Sequence, residues 1–195
     1  MIPCRMNPLG LPMTYGKRLQ YIASTGTQYI NTGIAPDFAN GDSVEISFFR
    51  ADYTGTTPVI FGSRESGIRN GVYLQPFNLI VADENGYSSV DFTIMSVGDH
   101  TVKVGSVLTV DGTDYTIPRS VTCGLPLFIF ALNNYGYGAL VFFSGMRLYD
   151  WKYYRAGTLA QHLVPVLDRA GVPCLFDTVT RTLKYNAGTG AFDYA

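Results

Sequence analysis

Apolar and polar residues along this chain repeat with a period of two rather than 3.6. In Ser43–Arg50, Val44, Ile46 and Phe48 alternate with Ser43, Glu45 and Ser47, the signature of a strand with one wet face. The most apolar stretch is Leu125–Leu132, interrupted only by Pro126. It is too short to span a membrane and rich in strand-forming residues, so it predicts a strand buried on both faces. Turn chemistry follows in Asn133-Asn134-Tyr135-Gly136-Tyr137-Gly138, where Asn and Gly accept the positive φ of a tight reversal. The chain returns as ALVFF and then RLYDWKYY, whose alternation predicts Tyr149, Trp151 and Tyr153 on a core face and Asp150 and Lys152 on the other.

The rest of the chain continues in this way. Leu19–Ile34 holds two short strand-like pieces around Ser24-Thr25-Gly26-Thr27, and Pro36–Asp42 reads as a loop. Asn70-Gly71, Asn85-Gly86 and above all Asp111-Gly112 mark hairpin turns. Nothing before residue 156 reads as helix. QHLVPVLD is compatible with a brief turn that Pro165 limits, and the segment from Pro173 to Phe192 resumes strand alternation. About a dozen short strands with turns every 8 to 12 residues define an all-β sandwich or barrel. The long excursions Pro36–Asp42 and Val90–Asp99 favour crossings between two sheets, hence a two-sheet antiparallel jelly-roll sandwich over residues 17–195. Residues 1–16 carry three prolines and no period and read as an extended arm. Met1, Ile2, Met6, Leu9, Leu11 and Met13 give that arm enough apolar surface to dock on a partner.

Composition narrows the function classes. At 195 residues the chain suits one domain, and its 21 Gly and 14 Tyr suit short aromatic strands joined by turns. A net charge of −1 supplies no basic footprint for nucleic acid or an anionic membrane. Cys4, Cys123 and Cys174 form no C-x-x-C pair; free buried thiols are favoured over a Cys123–Cys174 disulfide. Pro3, Pro8 and Pro12 break any apolar core of a secretory signal.

Specific strings then add to the pattern. LQYIASTGTQYINTGIAPD, DGTDY, MRLYDWKYYRAGTLAQHLVPVLDRAGVPCLFD and LKYNAGTGAF, in this order, resemble concanavalin A-like lectin/glucanase domains, relatives of laminin-G-like domains found in gut bacterial surface proteins and phage virion proteins. The resemblance implies a jelly roll whose terminal segments pair, and a role in glycan binding or adhesion. A proline-rich arm joined to one such domain resembles a phage fibre or capsid-attached protein, made in the host cytoplasm, carried on the virion and released by lysis; a bacterial cell surface is the alternative. The partners implied are a host-surface glycan, other virion proteins through residues 1–16, and further copies of the chain.

Glycan hydrolysis in the glucanase branch needs clustered carboxylates in an E-x-D-x-x-E string. The three glutamates, Glu45, Glu65 and Glu84, stand far apart and none begins an E-x-D, so a non-enzymatic role is expected and hydrolysis ranks last. No G-x-S-x-G elbow is present, and His100 and His162 are expected to serve a turn and the packing beside Leu163. Zinc has no ligand spacing here. No cofactor is expected, with calcium left open at Asp83-Glu84-Asn85-Gly86 and at Asp111 and Asp114, where a solvated turn is the simpler reading. Sugar binding asks for flat aromatic faces beside planar amides. Asn133, Asn134, Tyr135 and Tyr137 supply both in one loop, and Asn85 with Tyr87 forms a second candidate. The simpler alternative is that Asn and Gly serve the turn and the tyrosines cap the core edge. A structural virion protein that binds no sugar is the competing function.

Overall fold

The computed structural model describes residues 15–52, 58–65, 70–93, 95–136, 139–140 and 145–195, with the side chain of residue 140 excepted. It is a sandwich of two sheets, and among the described residues its helical content is one 3-10 turn, Phe38–Asn40. The larger sheet runs Thr113–Thr116, Val107–Val110, Gly98–Val104, Ser43–Arg50, Met146–Arg155, Thr158–Leu167, Pro173–Asp177, Thr182–Lys184. The smaller runs Ala139–Leu140, Leu132–Asn134, Phe61–Arg64, Gly71–Leu74, Asn78–Asp83, Gly86–Asp91, with Phe128–Ile129 and Ile30–Asn31 beside it.

Both long excursions do cross. Pro36–Asp42 leads from Ile30–Asn31 in the smaller sheet to Ser43–Arg50 in the larger, and residues 92–97 lead from Gly86–Asp91 to Gly98–Val104. The termini meet, Asp193–Tyr194 pairing with Ile22–Ala23. Asp111 (φ 48°) and Gly112 (φ 83°) make the two positive angles that a tight hairpin between right-twisted strands requires. Of the expected arm, residues 1–14 lie outside the described residues. Tyr15 and Gly16 belong to the sandwich: the Tyr15 ring packs 4.9 Å from Phe176, and the Gly16 N–H donates to Leu167 O at 2.8 Å.

The core fills the space between the sheets. Trp151 and Tyr153 from the larger sheet are fully buried, and Trp151 meets Phe61 of the smaller sheet edge-on at 5.2 Å. Tyr149 does not join them, as unbroken alternation had required. A register shift between Leu148 and Asp150 against Ser43–Arg50 inserts one extra residue, turning Tyr149 outward to donate to Asp99 Oδ1 at 2.8 Å.

Two further expectations change. The apolar run is buried from Leu127 to Leu132 but is not one strand: Phe130 (φ 71°) reverses it, so Phe128–Ile129 runs antiparallel to Phe61–Arg64 and Leu132–Asn134 parallel to it. The brief turn at QHLVPVLD is instead strand: Gln161 to Leu167 form the C-terminal part of the ten-residue strand Thr158–Leu167. Pro165 is tolerated there because only its carbonyl is called upon, accepting from the Leu19 N–H at 3.0 Å. As expected, Cys123 and Cys174 are both free and buried; they lie in separate apolar clusters, and burial pushes the Cys174 thiol up to about 12.

Candidate functional site

The site is built by the register of the smaller sheet. Val72, Leu74, Leu79 and Val81 face the core, so their neighbours Gly71, Tyr73, Ile80 and Ala82 face outward. Pairing sets Asn134 beside Arg64, Gly71 beside Ala82 and Ala82 beside Tyr87. Gly71 also abuts Arg64, since a Cβ at Gly71 would come within 2.7 Å of Arg64 Cβ. One row across the sheet thus reads Asn134, Arg64, Gly71, Ala82, Tyr87. Gly71 and Ala82 have almost no side chain, and a trough opens between Arg64 on one side and Tyr87 on the other.

This trough is a groove of about 420 Å³. Gly71, Tyr73, Ile80 and Ala82 form its floor, Tyr135 and Arg64 one wall and Tyr87 the other. Tyr87 is 63% exposed, the most exposed large apolar side chain among the described residues. Tyr135 (φ 57°) and Gly136 (φ 73°) are left-handed, and the Tyr135 N–H donates to Arg64 O at 2.9 Å, which seats the turn on the groove wall. The Arg64 guanidinium lies 4.9 Å from the centre of the Tyr135 ring, and its Nε donates to Asn134 Oδ1 at 2.6 Å. Burial raises the Tyr73 hydroxyl above its ordinary pKa, opposed by the nearby Arg64 charge.

The sequence candidates therefore take separate places. Tyr135 and Tyr87, from different loops and strands, line the same groove. Asn134 spends its amide oxygen on Arg64. Asn133 is turned inward, 2% exposed, with Nδ2 donating to Pro126 O at 2.9 Å, and does not reach the rim. Tyr137 lies outside the described residues. Asn85 is parted from Tyr87 and lines a second, more open depression with Glu65, Asp83, Glu84 and Thr122.

There Asp83 accepts from Arg119 Nη1 with both oxygens, at 2.8 and 3.0 Å, and from the Asn85 N–H at 2.8 Å; the Arg119 hydrogen bonds, above all, hold its carboxyl below the usual range. Glu65 accepts from the Gly124 N–H at 2.6 Å and from Asn70 Nδ2 at 3.2 Å. Among the described residues no group of three or more His, Cys, Asp or Glu is placed to hold a metal ion.

His100 is a strand residue rather than a turn residue, 7% exposed, with Nδ1 2.7 Å from Asp111 Oδ2 and Nε2 2.8 Å from Ser96 O. His162 Nε2 lies 2.7 Å from Asp150 Oδ1.

Arg64, Gly71, Tyr73, Ile80 and Ala82 were not candidates from the sequence. A signal for them exists in NLIVAD: a strand of a one-wet-face sheet that carries apolar residues on both faces has an outward apolar patch to account for. Compared with known proteins, the chain matches no family model, and no curated protein matches it.

Proposed function

We propose that this protein is a non-enzymatic carbohydrate-binding module that receives a glycan in the groove of the smaller sheet. The observation that carries the reading is the groove itself: Tyr135, Tyr87 and one guanidinium around a floor of Gly71, Tyr73, Ile80 and Ala82 on the outward face of the sheet. Sugars present C–H faces that pack on aromatic rings and hydroxyls that bond planar polar groups, and this lining offers both. A volume of about 420 Å³ falls in the range of small-ligand sites and suits one or two sugar rings. Asp83, occupied by Arg119, supports binding that needs no calcium. The setting implied by the sequence resemblance is attachment to a host-surface glycan, with residues 1–16 fastening the domain to a virion. Display in several copies would multiply a weak single-site affinity.

A glycan array with the purified protein, repeated in the presence of a chelator, tests this. Specific binding is expected, unchanged by the chelator, and weakened about tenfold in each of Tyr135→Ala and Tyr87→Ala, the scale of an aromatic contact. Absence of binding by folded protein, or full affinity in both variants, would overturn the groove and leave the structural virion role.

A further inference from the structure

The groove carries a charge that no carboxylate among the described residues balances. Among the described residues Arg64 is its one ionised lining residue, and no Asp or Glu pairs with it. The stretches outside the described residues contain neither Asp nor Glu. The nearby acids are committed elsewhere: Asp83 to Arg119, Glu65 to Gly124 and Asn70, and Asp91 accepts from Ser89 Oγ farther along the same outer face. Elsewhere Lys103 pairs with Glu45 and Lys152 with Asp150.

Arg64 is also held in place. Asn134 fixes Nε, and the Tyr135 ring lies against the guanidinium. With Nε taken, the terminal amino groups remain as donors toward the groove. A planar pair of such donors matches the two oxygens of a carboxylate, and their ordering is already complete before any ligand arrives.

We propose that the groove selects acidic sugars: a glycan whose carboxylate pairs with the terminal amino groups of Arg64 while the sugar ring packs on Tyr135 or Tyr87. This rests on the reading of the groove as a glycan site and adds its charge specificity. Hexuronates and sialic-type sugars share the carboxylate.

The test is calorimetric titration of the full chain with oligogalacturonate, hyaluronan oligosaccharides and oligosialic acid, each beside its methyl ester, which keeps the ring and removes the charge. At least one acid should bind about ten- to a hundredfold more tightly than its ester, the span of a charge-assisted hydrogen bond. Which acid does so identifies the source of the carboxylate. The preference should shrink as salt rises from about 50 to about 500 mM, disappear in Arg64→Gln, and persist in part in Arg64→Lys, which keeps the charge and loses the planar fork. Unchanged melting of both variants would show that the loss is not one of folding. Equal binding of acids and esters, still sensitive to Tyr135→Ala, would overturn the charge specificity and leave the glycan groove standing. A sulfated glycan that outbinds every carboxylate would overturn the carboxylate assignment, and no binding of any sugar would overturn both readings.

Discussion

Trp151 and Tyr149 are two residues apart and read alike in the sequence, yet one lies at the centre of the core and the other at the surface. The bulge between Leu148 and Asp150 makes the difference, because an extra residue on one strand reverses the facing of everything on one side of it. Trp151→Ala should therefore cost about 3–5 kcal/mol, whereas Tyr149→Phe, which loses one hydrogen bond at a half-exposed position, should cost about 1 kcal/mol or less. Denaturant titration of the two variants checks this, and similar losses would contradict the bulge. Asn133 and Asn134 teach the same lesson in a loop. Both are turn-forming amides, but one is sealed against Pro126 and the other orients Arg64.

Carboxylates also tie down the ends of elements. Asp83 ties the turn before Gly86 to Arg119, Asp168 accepts from the N–H groups of Ala170 and Val172, and Asp37 binds Asn40 and Thr122. All three carboxyls are held below their ordinary range, by Arg119, by the Val172 N–H and by Asn40 respectively. A carboxyl depressed in the folded state lends its full stability above the unfolded value of about 4 and loses it as pH falls through the folded value. The melting temperature should therefore fall as pH drops below about 4. Asp83→Asn should melt lower at neutral pH and show a smaller fall on acidification; thermal melts between about pH 7 and about pH 2.5 measure both. At this scale the alternating strands were readable, as were the Asp111-Gly112 hairpin and the two crossings. The strand through Pro165 was not, because its tolerance depends on which neighbour borrows its carbonyl.

For the whole molecule, closure of the sandwich depends on its two ends. Asp193–Tyr194 pairs with Ile22–Ala23, and Phe192, 3% exposed, packs 5.4 Å from Phe130. Phe192→Ala should cost about 3–5 kcal/mol, as for an interior phenylalanine, although it lies three residues from the C-terminus. A loss within about 0.5 kcal/mol, as at a surface position, would show that the end does not seal the core. The amino-acid sequence by itself determined the all-β class, the wet and dry faces of strands such as Ser43–Arg50, and the turns, since alternation and backbone preference are local properties. It also marked Tyr135 and Tyr87 as aromatic residues in turn-rich surroundings. Only the tertiary structure decided that these two face one groove with Arg64 between Asn134 and Gly71. That juxtaposition comes from the register of strands separated by up to about seventy residues, and register is settled by which core side chains pack together rather than by any pattern within one strand.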